Sequence, residues 1–447
     1  MPRTKGSPHR HAGQRAGAET PPPVCVEGPG ASHAVTDQLD DGVFRTWLPG
    51  GTEILTERMD SMRSVAVGCW FRSGAAHEPE SLLGSAHLLE HMVFKGTDRR
   101  SALQIASEIE ELGGSLDAYT AHEHTAFLAR VPDSSTHVAV DVIADLAFKP
   151  QLAATDLSLE REVVLEEIAR CEDTPDDLVF DLHAEFFYGR HPYGRPILGT
   201  RETVTAVTAD DLMALHAASY RPSNLVVAAA GRVDHEVFLD LVNAHLPAGD
   251  IVSPQPIDVP RQHGRGVRRV ERPSGRQVHI VAAAPGVAVG DPLRDAVILV
   301  GTALGGGMGS RLFQRIREEL GLAYAVYSFR SFYMNAGHVG TYIGTRPETA
   351  EQARDVLHAE LRRLATEGLS PDELEATRTQ LKGQVVLALE SPGSRMHRLA
   401  SLGLAGEAYR SLDEIMARID CVTEADAARA AALYDPDGLA VLELHPA

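Results

Sequence analysis

The chain carries one pattern twice, as YRPSNLVV at residues 220–227 and as YDPDGLAV at residues 434–441. In each copy, Tyr-x-Pro-x-x-Leu-x-Val follows a Val-Thr pair and a helical stretch. The proline cannot continue a helix, and the apolar residues after it suit a buried strand. Two unrelated helix–turn–strand units would look similar, but the matched context on both sides favours an internal duplication.

A proline-rich stretch separates two parts of similar length. Residues 251–266 (IVSPQPIDVPRQHGRG) combine prolines and glycines in the way that is typical of a linker. We therefore expect an N-terminal domain at 35–250 and a homologous C-terminal domain at 267–447. Residues 1–34 are rich in Gly, Pro and Ala, and because such a composition cannot build a core, we predict a disordered tail.

Hydrophobic patterning predicts strands and helices in irregular alternation, which favours an α+β fold over a doubly wound α/β fold. The predicted strands are 64–71, 225–230 and 278–283. The predicted helices are 85–94, 102–112, 154–171, 294–304 and 310–320. Each half is expected to form an antiparallel-rich sheet with helices packed on it.

Composition narrows the range of functions. The net charge of −20 argues against nucleic acid or an anionic membrane as the main partner, since both attract clustered Lys and Arg. No stretch reaches the roughly 18 apolar residues of a transmembrane helix. The 4 cysteines form no CxxC pair, so we expect reduced, mostly buried thiols in a cytoplasmic protein.

The chemistry is concentrated in GSAHLLEHMVF at residues 84–94. On a helix, His87 and His91 lie one turn apart on the same face, so both imidazoles can reach one ion, and Glu90 projects from nearly the same side. Zinc suits two imidazoles and a carboxylate with one position left for water, on which Glu90 can act as general base. His-x-x-Glu-His is the inverted zinc-peptidase motif. A pair of surface or core histidines on an amphipathic helix is the alternative.

The third ligand is expected from the predicted helix at 154–171. Glu160 and Glu167 lie two turns apart on one face, so one could bind the metal while the other steadies a ligand histidine. Glu162 and Glu166 are more simply an exposed acidic pair. The residues predicted to face inward are Val163, Val164 and Ile168. An ordinary charged helix is the alternative for this segment.

Three motifs follow one another along the chain: GSAHLLEHMVFKGT at 84–97, EREVVLEEI at 160–168 and HPYGRPILG at 191–199. Together they resemble the M16 peptidases, the family of pitrilysin, insulin-degrading enzyme and the mitochondrial processing peptidase. The resemblance extends from about residue 35 to the C-terminus and is strongest to bacterial two-domain members similar to the processing peptidase β subunit. It implies that zinc is bound by His87, His91 and Glu167. It further implies that Glu90 is the catalytic base and Glu160 a supporting carboxylate.

The second half matches the family in GGGMGSRLF at 305–313 and REELGLAY at 317–324. In related enzymes the Arg and Tyr of the latter segment hold the substrate backbone, which implies substrate-binding roles for Arg317 and Tyr324. A helix-end arginine and a packed tyrosine are the alternative. A phosphate-binding loop is a weaker interpretation of the glycines, because the Walker spacing and its Lys are absent.

One motif departs from the family pattern. Relatives have Asn-Ala-x-Thr followed by a Tyr, whereas this chain has DAYT at 117–120 and then His124. The family Asn helps to hold the substrate, so we assign Asp117 to substrate binding, with a changed preference because it adds charge and lacks the amide donor. His122 and His124 could be additional metal ligands, but we prefer ordinary strand residues near the cleft.

These patterns lead us to expect a Zn²⁺-dependent metalloendopeptidase that hydrolyses unfolded peptides. The resemblance implies that the two halves face one another as a clamshell, and that two chains pair as a homodimer around a chamber that excludes folded proteins. A catalytically silent assembly or peptide-binding subunit is the rival. Relatives with that role have degraded metal motifs, whereas the ligands and the base are present here.

Overall fold

The computed structural model describes residues 33–248, 251–252, 255–261, 263–273 and 275–447. Its strands form two sheets, one in each half of the chain. The first sheet contains β1 (Val35–Asp40), β2 (Val43–Trp47), β3 (Glu53–Arg58), β4 (Ser64–Phe71), β5 (Ser115–Thr120), β6 (Thr125–Pro132) and β7 (Leu225–Gly231). The second contains β8 (Gly266–Arg272), β9 (Val278–Pro285), β10 (Ala323–Phe332), β11 (Gly337–Thr345) and β12 (Ala440–Pro446).

Helices occupy most of the chain between the strands. Those of the first half are α1 (Ser85–Val93), α2 (Ala102–Glu110), α3 (Thr136–Phe148), α4 (Ala154–Asp173), α5 (Pro175–Tyr188), α6 (Arg201–Ala206), α7 (Ala209–Ser219) and α8 (His235–His245). Those of the second half are α9 (Arg294–Gly305), α10 (Ala350–Glu367), α11 (Pro371–Ala388), α12 (Pro392–Ala405), α13 (Leu412–Cys421) and α14 (Glu424–Ala431). The predicted α+β class is confirmed.

The two sheets share one topology. Five strands of the first sheet run in the order β3-β7-β4-β6-β5, and the second sheet runs β8-β12-β9-β11-β10. In the first sheet β7 lies parallel to β3 and antiparallel to β4, and in the second sheet β12 lies in the same way parallel to β8 and antiparallel to β9. All other neighbouring pairs are antiparallel. The repeated pattern at 220–227 and 434–441 thus leads into equivalent central strands, which supports the predicted duplication.

One helix from each half crosses to the sheet of the other half. In α12, Leu399 and Ala400 are buried against the first sheet, beside Trp70 of β4. In α5, Val179 is buried against the second sheet, beside Leu442 of β12. The opposite faces of the sheets carry the helices of their own half. The domain boundaries 35–250 and 267–447 stay a prediction, and the exchanged helices pack across them.

Several local expectations are corrected by the structure. Most predicted elements match within two residues, but the predicted helix at 310–320 is largely a π-helix, Phe313–Glu319, which apolar periodicity does not distinguish from an α-helix. Val163 is 44% exposed rather than inward, whereas Val164 and Ile168 are buried as predicted. His122 and His124 lie in the loop between β5 and β6, not in a strand.

The remaining expectations concern cysteines, membranes and termini. Of the three described cysteines only Cys69 is buried, so the expectation of mostly buried thiols is wrong for Cys171 and Cys421. In the described part of the chain, none of the helices has the length and hydropathy that a bilayer span requires. The predicted tail lies outside the described residues up to residue 32, and so do parts of the predicted linker.

Candidate metal centre and catalytic site

Helix α1 is held firmly at its start. Gly84 precedes it with a φ of 86°, and a Cβ at this position would lie 2.5 Å from the Leu198 carbonyl oxygen, so only glycine fits. The buried carboxylate of Glu78 accepts hydrogen bonds from the backbone N–H groups of Gly84 (2.9 Å) and Ala86 (2.6 Å). Burial raises the pKa of Glu78 to about 7, and these two donors oppose the rise.

The apolar side of α1 anchors it in the first core. The residues of this side are Leu88, Leu89, Met92 and Val93, all of them buried. The spacing of the helix then leaves His87, Glu90 and His91 on the side away from that core. A rigid support of this kind fixes ligand directions before any ion binds.

Helix α4 brings a carboxylate to the two histidines. Glu167 Oε2 lies 3.6 Å from His87 Nε2 and 3.7 Å from His91 Nε2. Among the described residues, His87, His91 and Glu167 are the one group of three that could hold a metal ion. Ligand atoms at about 2.0–2.1 Å from a tetrahedral zinc lie roughly 3.4 Å from each other. The observed separations therefore fit an ion between the three atoms and are too long for direct hydrogen bonds.

The protonation state of His87 also suits a metal ligand. Burial, together with the neighbouring His91, lowers the pKa of His87 to about 4. The imidazole is therefore neutral near pH 7, which is the form that binds metals.

Glu160 contacts His91 at Nδ1 and not at the Nε2 atom that lies next to Glu167. Its Oε2 lies 3.1 Å from His91 Nδ1, and its Oε1 lies 2.5 Å from Lys95 Nζ. A carboxylate on Nδ1 fixes the ring and leaves Nε2 free for the metal. Glu167, not Glu160, lies next to both Nε2 atoms. Glu162 and Glu166 are exposed, in agreement with the acidic pair expected there.

Glu90 is largely buried, and one hydrogen bond orients it. The hydroxyl of Thr120, at the end of β5, donates to Glu90 Oε2 at 2.6 Å. Burial raises the pKa of Glu90, and the nearby charges of Glu167 and Asp117 add to that rise, while Thr120 and His91 oppose it. A higher proton affinity makes the carboxylate a better general base.

The other residues assigned from the sequence are more dispersed. Asp117 is exposed on β5, and its Oδ1 accepts a hydrogen bond from the N–H of Ala118. The guanidinium of Arg317 lies 4.8 Å from the ring centroid of Tyr324, and Tyr324 is 77% exposed. Among the described residues, no hydrogen bond, ion pair or ring contact joins Arg317 or Tyr324 to Glu90 or to the three candidate ligands.

The two loop histidines bind protein groups instead of the candidate ion. His122 Nε2 lies 3.3 Å from the Arg195 carbonyl oxygen, and His124 Nε2 lies 3.4 Å from the Tyr119 hydroxyl. Within the described residues neither histidine belongs to a group that could hold a metal.

Three supporting residues were not assigned from the sequence. Lys95 and Thr120 stand inside the motifs at 84–97 and 117–120, so their position next to the candidate site was a usable signal. Glu78 lies outside those motifs. Its contact with the start of α1 depends on tertiary structure, and no spacing rule would have singled it out.

Two family models match adjacent parts of the chain. Residues 53–201 match the model described as insulinase, peptidase family M16. Residues 206–381 match the model described as the peptidase M16 inactive domain. The first match contains the candidate ligands and Glu90, and the second covers most of the second sheet.

Relatives and solved structures agree with these matches. An uncharacterized zinc protease of Streptomyces coelicolor is 42% identical over 86% of this chain and 85% of its own length. The uncharacterized zinc protease YmxG of Bacillus subtilis is 35% identical over 85% and 92%. A crystal structure of a peptidase M16 inactive domain from Pseudomonas fluorescens is 22% identical, with a TM-score of 0.84 over 91% of this chain and 98% of that one. A protease from Helicobacter pylori gives a TM-score of 0.83 at 19% identity, over 90% and 99%.

Proposed function

The chain belongs to peptidase family M16, and from this membership we propose that it is a zinc-dependent endopeptidase acting on unfolded peptides. The observation that carries the proposal is the position of Glu167 Oε2, 3.6 Å from His87 Nε2 and 3.7 Å from His91 Nε2. One ligand atom of each of the three residues lies within 4.8 Å of the other two. The chemistry that bound zinc supplies is Lewis acidity at the scissile carbonyl and at a water molecule.

The residues of the chain itself perform the proton transfer. Glu90 takes a proton from the attacking water as that water adds to the carbonyl carbon. It then delivers the same proton to the leaving amine nitrogen as the C–N bond breaks, which restores the carboxylate for the next turnover. Glu160 keeps His91 oriented during this cycle through the contact with Nδ1.

Peptide binding is assigned to the edge of the first sheet. Strand β5 lies at one edge of the first sheet, and among the described strands it pairs only with β6. Its outer N–H and C=O groups are therefore available to an extended peptide. Main-chain hydrogen bonds of this kind give affinity with little sequence selectivity. Arg317, Tyr324 and Asp117 would hold the substrate in a clamshell cleft of a cytoplasmic homodimer.

A catalytically silent assembly or peptide-binding subunit is the second candidate. It is favoured by the match of residues 206–381 to a domain described as inactive. Against it, His87, His91, Glu167 and Glu90 are all present in the half that matches the insulinase model. Retention of every ligand and of the base has no use in a silent subunit, so we favour the enzyme.

The test combines metal analysis with peptide cleavage. Purified protein is assayed for zinc and for cleavage of a broad quenched-peptide library before chelation, after chelation, and after zinc is restored. We expect about one zinc per chain and cleavage that follows the metal. Zinc-loaded protein that cuts no peptide in the library would favour the silent subunit.

Glu90→Gln tests the assignment of the base. This variant should retain zinc and thermal stability while turnover falls by roughly 10²- to 10⁴-fold. The matched control is Glu166→Gln, the same change at an exposed carboxylate next to the candidate ligand on α4. If Glu90→Gln cuts peptides as fast as the control, another group is the base.

A further inference from the structure

The contact between Thr120 and Glu90 joins two elements that differ in function. Thr120 ends β5, the strand assigned to peptide binding, and Glu90 lies on α1, the helix of the candidate ligands. The hydroxyl-to-carboxylate distance of 2.6 Å is that of a charge-assisted hydrogen bond. Leu116 and Ala118 of the same strand pack into the core that contains α1, so the side of β5 that carries Thr120 faces that helix.

The loop that follows Thr120, residues 121–124, is fixed by its own half. The carbonyl oxygens of Ala121 and His122 accept hydrogen bonds from the N–H groups of Ala75 (3.0 Å) and Ala76 (2.8 Å). A Cβ on Gly74 would lie 2.2 Å from the Ala121 oxygen, so the backbones approach as closely as glycine allows.

The second half holds the same loop through one carboxylate. Glu123 Oε1 accepts a hydrogen bond from the Tyr193 hydroxyl at 2.6 Å, and both carboxylate oxygens lie 3.1 Å from the N–H of Met334. Met334 belongs to the turn between β10 and β11. The neighbouring Tyr333 stacks on Tyr193 with ring centroids 3.9 Å apart. The hairpins β5–β6 and β10–β11, which are equivalent in the two sheets, therefore meet at Glu123.

We propose that Thr120 is a positioning residue for the carboxylate of Glu90, and that the second half holds Thr120 in place through Glu123. The inference rests on the proposed peptidase function. It gives the second half a part in catalysis although the described residues there include no candidate metal group. At the end of β10, where β5 has Thr120, the second half has Phe332, so the contact belongs to the first half alone.

The hydroxyl restricts a side chain that would otherwise rotate. With the donor removed, the carboxylate of Glu90 can turn away from the attacking water, and loss of alignment of this kind reduces the rate of the chemical step. A positioning hydrogen bond to a charged group corresponds to roughly 10- to 100-fold in kcat. Substrate affinity and zinc affinity should change little, because the Thr120 side chain is not a candidate ligand and the peptide is assigned to main-chain groups of β5, which the substitution keeps.

The experiment compares Thr120→Val with Thr120→Ser and with Thr341→Val. Thr341 is fully buried on β11, and its hydroxyl has no hydrogen-bond partner in the described structure, so its change to valine is a matched control. Thr120→Val should lower kcat roughly 10- to 100-fold at unchanged KM and zinc content. Thr120→Ser and Thr341→Val should keep most of the activity.

Three outcomes would overturn the positioning role of Thr120. They are an unchanged kcat in Thr120→Val, a loss of zinc from it, and a failure of Thr120→Ser to restore the rate. Crystal structures of the metal-free wild type and Thr120→Val give a readout independent of activity, and the carboxylate of Glu90 should be displaced in the variant. A Glu90 carboxylate that does not move in Thr120→Val would contradict the positioning role, whether or not the wild type cuts peptides. A wild type that cuts no peptide would count separately against the proposed function.

Glu123→Ala tests the part played by the second half. This change removes the acceptor of both Tyr193 and Met334 while the Thr120 hydroxyl stays present. We expect kcat to fall by roughly 3- to 10-fold, with zinc content unchanged, because the loop still keeps its bonds to Ala75 and Ala76. A folded Glu123→Ala variant with wild-type kcat would show that the second half does not hold Thr120.

Discussion

The two halves share a framework and differ in the side chains that carry the chemistry. In α4, Arg161 donates a hydrogen bond to the Val207 carbonyl oxygen at 2.7 Å, and in α11, Arg378 donates to the Val422 carbonyl oxygen at 2.5 Å. Val207 and Val422 each precede the threonine that caps the next helix, α7 or α14. The same arginine contact therefore fixes the register of equivalent helices.

Counted from that arginine, the supporting carboxylate and the candidate ligand of α4 have neutral counterparts in α11. Thr377 stands where Glu160 stands, and Gln384 stands where Glu167 stands. Helix α9, which follows β9 as α1 follows β4, differs from α1 in the same way. Its sequence (RDAVILVGTALG) contains no histidine or glutamate. Apolar positions are kept, with Val164 and Leu381 both buried. The framework therefore depends on packing and the arginine contact, whereas the metal chemistry depends on a few replaceable side chains.

The largest expected effect comes from the pair Glu167→Gln and Gln384→Glu. Glu167→Gln should weaken zinc binding on the order of 1,000-fold, about 4 kcal/mol, because an anionic ligand is lost. Gln384→Glu adds a carboxylate at the equivalent, exposed position in the second half and should leave zinc affinity unchanged. Competition titration against a chromogenic chelator measures both. Unchanged affinity in Glu167→Gln would point to Glu160 or Glu166 as the ligand.

The exchanged helices give the next largest effect. Leu399→Ala in α12 and Leu178→Ala in α5 each remove a buried side chain that packs on the sheet of the other half, and each should lower the free energy of unfolding by roughly 3–4 kcal/mol. Urea unfolding measures the loss. Leu103→Ala, at a residue that is 77% exposed, is the control.

Amide hydrogen exchange shows which strands the substitution destabilises. Amides of β4 and β7 should exchange faster in Leu399→Ala, although α12 belongs to the second half. Faster exchange confined to the second half would mean that the two halves are independent units.

A smaller effect on stability is expected from acid, through a buried histidine at the contact between the two halves. His183 of α5 lies 3.1 Å from the Ala440 carbonyl oxygen of β12, and burial lowers its pKa to about 4. In the unfolded chain a histidine keeps a pKa near 6.5. Between pH 6.5 and 4 the unfolded state thus binds a proton that the folded state does not, so stability falls as the pH falls.

Substitution of this histidine isolates its contribution. His183→Gln should remove about 2–3 kcal/mol of the stability loss between pH 6.5 and 4, and should leave the pH dependence above 6.5 as it is. Urea unfolding at several pH values measures the slope. His137→Gln, at an exposed position on α3, is the control. If the free energy of unfolding depends on pH equally in both variants, His183 does not cause the acid destabilisation.

The smallest predicted effect concerns the framework arginines. Arg161→Met and Arg378→Met each remove a charged donor to a backbone carbonyl and keep most of the side-chain volume. Each should lower the free energy of unfolding by about 1.5 kcal/mol. Thermal unfolding measures both changes. A large loss in one half with none in the other would break the claimed equivalence of α4 and α11.

Local patterns were enough to predict the duplication and the central strands. The helix of His87 and His91 followed from their spacing, and the apolar residues between them indicated which side is buried. Only the resemblance to the M16 family identified Glu167 rather than Glu160 as the expected third ligand, because both lie on one face of α4. Spacing within one helix does not reveal which of its carboxylates meets another helix.

Features that depend on distant parts of the chain were not predicted. The exchange of α5 and α12 arises from packing between the halves, which the apolar pattern of a single helix does not reveal. The hydrogen bond from Thr120 to Glu90 joins a strand to a helix, and the hydrogen bond from Met334 to Glu123 joins the two halves. Such contacts leave no periodic signal. The π-helix at Phe313–Glu319 differs from an α-helix only in hydrogen-bond register.

The most direct test of the central claim is anomalous diffraction at the zinc edge, from crystals of the chain grown with zinc. We expect one strong peak per chain, about 2.0–2.2 Å from His87 Nε2, His91 Nε2 and a carboxylate oxygen of Glu167. A map without a peak among these three side chains, or with its strongest peak in the second half, would contradict the proposed metal site.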